Sequence, residues 1–337
     1  MKILTLNVCG FGVKGKFGWV KNLCFSEKPD FVALQETRCK HLNDQWVGSL
    51  WGNDNFGFLQ KEVVGKSGGM LLIWDTKLFS ASSTLCSDYF LTVRGKWVGS
   101  GKESIIVNIY GPHDDASKKV MWKSLDSIMS GIDVAWVLCG DFNEVRVESD
   151  RMNCEFNRRR AIRFNDFINR NNLIEIPING RKFTRISDGG VKFSKLNRFL
   201  VSYLSLDLWK DLSVVPLDRR VSDHCPLILR DKIVDYGLKP FKVFNVWFQK
   251  EGVDSIIEGA WSKPVSSKRV DCIFCDKLKN IKFALKELSN KEFGNLDGEI
   301  NVLKKKVDEW GKKAEACPLD NDERKIWLDT RKNWIQK

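Results

Sequence analysis

Short apolar runs divided by polar turns recur from the first residues to about residue 230 and then cease. Strands are expected at "KILTLNV", "FVALQE", "GGMLLIW", "YFLTVRGKWV", "SIIVNIYG", "VAWVLCGDF", "FTRIS", "KLNRFLVS" and "CPLILR". Helical spacing appears instead in "GKFGWVKNLCFSEK", in "SKKVMWKSLDSIMSGI" with Ser117 as its opening cap, and in "NRRRAIRFNDFINRNN". Strands joined partly by hairpins and partly through helices predict an α/β fold, a four-layer sandwich of two mixed β-sheets flanked by helices. The loss of strand rhythm sets a boundary, with one domain over 1–232 and a helical extension over 233–337. In that extension Leu296, Ile300, Leu303, Val307, Trp310 and Ala314 form one apolar stripe, and Lys304, Lys305 and Lys306 its solvated face.

A chain of 337 residues with 43% hydrophobic content can bury a large core. Its formal charge of +12 favours a polyanionic partner, nucleic acid first. The opening segment lacks the apolar run of a signal peptide, and no stretch reaches the length of a membrane span. An intracellular protein is expected, without membrane attachment. The ten cysteines, including Cys9, Cys86 and Cys139 inside apolar runs, read as reduced, buried thiols. Cys272 and Cys275 form a lone CxxC with no second pair nearby, so helix packing is expected there in place of zinc.

Several strands end in polar groups that a buried strand does not need: Asn7, Glu36, Tyr110, the pair Asp141 and Asn143, and the pair Asp223 and His224. Each alone has an ordinary explanation, such as a turn-forming Asn7, a surface Glu36 or an Asx-turn at Asp141 beside Gly140. Strand ends meet in space, however, and the set is an inventory for attacking a phosphodiester. A hard cation takes oxygen ligands, water needs a base, and an anionic transition state needs donors.

The segments "TLNVCG", "LQET", "NIYGP", "GDFNEV", "KLNRFLVS" and "SDHCPLIL", in this order, resemble the endonuclease/exonuclease/phosphatase superfamily. The likeness extends to the apurinic-type endonuclease domain that opens the second reading frame of plant LINE retrotransposons. "KPFKVFNVWF" and the Lys-rich helical stretch after it resemble the connector that precedes reverse transcriptase there. No polymerase box follows, so a truncated element is expected. The resemblance implies that Glu36, with Asn7 and Asp223, holds Mg2+ or Mn2+. It implies further that Asp141 activates water, Asn143 and His224 donate to phosphoryl oxygens, and Tyr110 contacts the phosphate. DNA is the implied partner, element RNA a further one through the C-terminal extension, and the nucleus the implied site of action on genomic DNA.

Where the family usually reads Leu-Asp-Arg-Phe, with the Asp accepting from the catalytic His, this chain has Asn197. An amide oxygen still orients the imidazole but carries no charge to favour imidazolium, so impaired cutting is expected. Arg185 stands where the plant elements place Trp, and drift is the favoured explanation, DNA contact the other. His113 reads as an exposed loop residue, His41 has no assigned role, and Gly68 and Gly69 read as a tight turn. Arg158, Arg159 and Arg160 suit DNA phosphates and plain solubility equally. Two other functions remain open: a phosphoesterase of the same superfamily with a non-DNA substrate, and a catalytically decayed DNA-binding remnant.

Overall fold

A computed structural model of the chain describes residues 1–64, 67–187, 189–231, 248, 252–265 and 269–336. The first sheet contains β1 (Lys2–Asn7), β2 (Phe31–Gln35), β3 (Phe56–Val64), β4 (Ser67–Asp75), β14 (Leu212–Pro216) and β15 (Leu227–Asp231), in the order β14-β15-β1-β2-β4-β3. The second contains β5 (Phe79–Cys86), β6 (Phe90–Trp97), β7 (Glu103–Tyr110), β8 (Ala135–Asp141), β10 (Leu173–Glu175) and β13 (Asn197–Ser202), in the order β10-β13-β8-β7-β6-β5. A small third sheet joins β9 (Arg151–Met152), β11 (Arg185–Ile186) and β12 (Phe193–Ser194). Only β1 with β2 and β7 with β8 pair in parallel within the two large sheets, and each of these crossovers passes through a helix.

Period-two alternation places the side chains. Along β2, Phe31 and Ala33 face the core between the sheets, whereas Val32 and Leu34 face α1 (Lys16–Glu27) and α2 (Asp44–Trp51). On the far side, Trp122 of α3 (Asp115–Met129) stacks on Phe164 and Phe167 of α4 (Arg158–Arg170) at centroid distances of 5.1 and 4.7 Å, over the outer face of the second sheet. The result is helix, sheet, sheet, helix, the four-layer sandwich expected from the sequence. A short helix, α5 (Tyr203–Leu208), follows β13.

The two sheets are also joined by polar contacts through their shared core. Asn108 on β7 accepts from Gln35 Nε2 at 2.6 Å and donates to the Leu34 and Leu71 carbonyls at 3.0 Å, while the same Gln35 nitrogen also reaches Thr5 Oγ1. A buried amide that leaves no hydrogen bond unmade fixes register more sharply than aliphatic packing does.

The described residues refine several sequence expectations. Asp114, not Ser117, caps α3: its carboxylate accepts from Ser117 N at 2.8 Å. An aspartate outcompetes a serine three positions later because it sits where the orphan amides point. Cys86 is exposed, since β5 lies at the sheet edge with one buried residue, Phe79. Gly68 and Gly69 begin β4 with φ of 98° and 82°, and their carbonyls accept from Arg38 N and Thr37 N.

The chain divides into two units, Met1–Ile233 with Lys312–Lys325, and Val234–Gly311 with Ile326–Lys337. Helices α6 (Val253–Ser262), α7 (Val270–Ala316) and α8 (Asn321–Gln336) form the C-terminal part. Along α7 the residues Ile300, Leu303, Val307 and Trp310 are half-buried and Lys304, Lys305 and Lys306 exposed, while Leu296's side chain and all of "KPFKVFNVWF" but its exposed last residue, Phe248, lie outside the described residues. Cys272 and Cys275 are exposed on α7 and do not pack as expected. Among the described residues no helix is long and apolar enough to cross a membrane.

Candidate active site

Five strands bring their C-terminal tips or adjoining turns to one place, and β13 contributes its first residue. Asn7 ends β1 and is fully buried. Its Nδ2 donates to Glu36 Oε1 and to Asp141 Oδ2, both at 2.8 Å, so one amide holds two carboxylates from different sheets. Its Oδ1 accepts from Cys9 N at 3.0 Å. Glu36 follows β2 and is secured by main-chain bonds on both sides, from Gly10 N to its carbonyl and from Thr37 N to Gly69. A Cβ on Gly69 would stand 2.6 Å from Thr37 Oγ1, which is why glycine is needed opposite this tip.

Asp141 ends β8, 1% exposed, with Oδ1 accepting from Asn143 N at 3.0 Å. The glycine before it has a steric cause. Gly140 lies between β7 and β13 with φ of 134°, and a Cβ there would stand 2.0 Å from the Ile109 carbonyl. Asn143 donates through Nδ2 to Gly111 O at 2.7 Å, and Gly111 N donates to Asp141 O at 2.7 Å, so "YGP" and "GDFN" interlock. Beneath them Lys118 of α3, nearly fully buried, donates to Asn143 O at 2.6 Å and to Glu144 Oε2 at 2.5 Å.

Asn197 opens β13 directly opposite Asp141 and reaches His224, its Oδ1 2.7 Å from His224 Nδ1. Its Nδ2 is buried with no hydrogen-bond partner among the described residues. His224 is 3% exposed, and its Nε2 faces Asp141 Oδ2 at 3.7 Å and Asp223 Oδ2 at 4.0 Å. Asp223 accepts from Cys9 Sγ at 2.7 Å and from Arg185 Nε at 3.0 Å. Thus Asn7, Glu36, Tyr110, Asp141, Asn197, Asp223 and His224 form one connected cluster, and Asn143 borders it through Asp141.

The electrostatics follow from burial and these contacts. Burial pushes the Glu36 carboxyl up, but hydrogen bonds from Asn7, Tyr110 and Arg38 together hold it below its ordinary value. At Asp223 burial is likewise overcome, by His224, Cys9 and Arg185, and its pKa falls to about 2. Burial and the Glu36 and Asp141 carboxylates raise Tyr110, which stays a neutral donor. Burial also holds His224 below its ordinary value, although Asp141 and Asp223 pull the other way. The Cys9 thiol rises to about 12 through burial and the Asp223 carboxylate. Cys9, Glu36 and Asn143 all adopt left-handed backbone, with φ of 50°, 49° and 48°. Such strain costs about 1–3 kcal/mol per residue and concentrates at functional sites.

Four contributors were not expected from the sequence. Cys9 is a member of the cluster and not an inert core thiol; Arg185 is tied to Asp223; Lys118 and Asn108 support the tips from below. A lysine and an asparagine inside apolar spacing were the available signals. His41 is exposed near Glu62, and Arg158 and Arg159 are exposed at the start of α4. His113 accepts from Arg160 through its carbonyl.

Glu36, Asp141 and Asp223 bring to this cluster carboxylate oxygens of the kind that a hard divalent cation takes. No curated protein matches the sequence. Among solved structures the chain is similar to the AP endonuclease LMAP from Leishmania major, at 17% identity and a TM-score of 0.55 over 68% of this chain and 86% of that one. It is similar to the 3'-5' exonuclease NExo from Neisseria meningitidis, at 16% identity and a TM-score of 0.54 over 69% and 100%. The endonuclease domain of TRAS1, a telomere-specific non-LTR retrotransposon, aligns at 14% identity and a TM-score of 0.51 over 69% and 99%. These likenesses establish a shared fold. Residues 4–224, a span that takes in every strand-tip group described above, match the Endonuclease/Exonuclease/phosphatase family, and the chain belongs to that family.

Proposed function

We propose that the chain is a metal-dependent DNA endonuclease that nicks one strand and leaves a 3′-hydroxyl. The observation that carries this reading is the Asn7 amide joining Glu36 and Asp141 beside a buried His224. The charge of +12 supports a DNA substrate, and the retrotransposon likeness of the motifs supports target-site cleavage. On the same reading the chain derives from a plant LINE element. Its domain over 1–232 acts in the nucleus, and the extension over 233–337 is the part suited to element RNA.

Asp141, oriented by Asn7 and by Asn143 N, takes the proton from the attacking water. One N–H of Asn143 is committed to Gly111, and the other serves a non-bridging oxygen. Tyr110, neutral because its phenol is raised, donates to the phosphate. Glu36, Asn7 and Asp223 would hold Mg2+ or Mn2+, which would supply Lewis-acid stabilisation of charge on the phosphate and leaving oxygen. His224 donates best as imidazolium, and Asn197 does nothing to favour that form, so weakened cutting belongs to the proposal.

A supercoiled plasmid titrated with Mg2+ and Mn2+ tests it. Nicked circles that polymerase can extend are expected, and Glu36→Ala and Asp141→Ala should each abolish them. Salt-sensitive binding without nicking would leave a DNA-binding remnant, and phosphate release from soluble phosphoesters in its place would reassign the substrate.

A further inference from the structure

The Cys9 thiol points at chemistry. Its Sγ lies 2.7 Å from Asp223 Oδ1 and 3.4 Å from Asn7 Oδ1. His224 lies close by. Because the Asn197 amide oxygen only accepts, His224 Nδ1 carries the hydrogen, and in the neutral ring Nε2 keeps a lone pair. That nitrogen belongs to a nearly fully buried side chain and makes no hydrogen bond among the described residues. One ligand atom from each of Cys9, Asp223 and His224 lies within 4.8 Å of the others.

Zinc bonds to sulfur, nitrogen and oxygen at tetrahedral angles put ligand atoms about 3.5 Å apart, so closure needs shifts of about 1 Å. A thiolate, an imidazole and one carboxylate favour borderline and soft cations over Mg2+. The Nδ1 contact with Asn197 is the kind of outer hydrogen bond that orients a ligating imidazole.

We propose that Cys9, Asp223 and His224 form a site for zinc or a similar thiophilic divalent cation, and that its occupation shuts off hydrolysis by withdrawing Asp223 and His224. On binding, the S–H bond breaks, the proton passes to solvent, and sulfur bonds the metal without change of oxidation state. The inhibitory part rests on the nuclease reading; the binding part does not.

Cobalt(II) is the probe for the binding part, added to the reduced full chain after metal removal. Cys272→Ser and Cys275→Ser are introduced first, because that exposed pair could bind metal by itself. One cobalt per chain is expected, with a near-ultraviolet thiolate-to-metal band that zinc displaces. Cys9→Ser should remove the band, and His224→Gln, which retains the thiol, should weaken cobalt binding about tenfold or more. A band that survives Cys9→Ser, or its absence from the background protein, overturns the site. In the plasmid assay with excess Mg2+, Cys9→Ser should raise the half-inhibitory zinc concentration about tenfold, and an unchanged value overturns the inhibitory part. A thiolate band in a chain that never nicks supports the site and counts against the nuclease reading alone.

Discussion

Replacing Asn197 by aspartate puts a charge 2.7 Å from His224 Nδ1, where both side chains are buried. Two unit charges about 4 Å apart interact by about 4 kcal/mol at an effective dielectric near 20. Desolvation of the new carboxylate, several kcal/mol, and removal of the orphaned Nδ2, about 1–3 kcal/mol, act alike on both forms of the ring and change stability instead of titration. The charge attraction alone favours imidazolium, and it raises the His224 titration by up to about three pH units. With a folded pKa below its ordinary 6.5, His224 makes the native protein lose stability as pH falls through that value, and the variant should lose less. With three histidines in the chain, NMR titration of the imidazole protons resolves the shift directly. Plasmid nicking should rise by about tenfold to a hundredfold, below the roughly 10⁴-fold effect of the analogous charge in a serine-protease triad because His224 is an auxiliary donor. An unmoved titration, or nicking no faster than native, would refute the reasoning.

Three further outcomes are expected. Glu175, held to a pKa of about 2 despite burial by Arg198, Lys195 and Arg146, stabilises the fold above its ordinary 4.5 and loses that contribution as pH falls toward 2. The contribution is on the order of 3 kcal/mol, so acid denaturation of Glu175→Gln should be flatter in that window and its native stability lower. Gly140→Ala forces a Cβ onto the Ile109 carbonyl and should cost about 3 kcal/mol or more by chemical denaturation. Lys118→Met strands the buried Glu144 and should lower stability by about 3–5 kcal/mol, and the addition of Glu144→Leu should restore most of it.

Strands buried on both faces, such as β2 and β8, were legible because their apolar runs are unbroken. In the two large sheets the omitted ones were edge strands. β5, "FSASSTLC", buries only Phe79 and has the composition of a loop; β3 is half-buried along its length; β14 carries Pro216, tolerated because it lies at a sheet margin. Helix α2 is short, and its start depends on Asn43 accepting from Trp46 N, a contact one polar residue among several does not reveal. Strand-tip polar groups were legible because chemistry is the economical reason for a carboxylate after an apolar run. Cys9 was not, because a cysteine reads equally well as core, and its partner Asp223 lies far along the chain.

Asn7 and Glu36 ride on the first sheet, whereas Tyr110, Asp141 and Asn197 ride on the second, and the bond from Asn7 to Asp141 spans 134 positions of sequence. Neither half contains a working pocket by itself. The centre therefore appears only at the moment the halves dock, which makes it a late event in folding and a reporter of completion. A nascent or half-assembled chain holds the strand-tip groups apart, so their joint chemistry waits for both sheets.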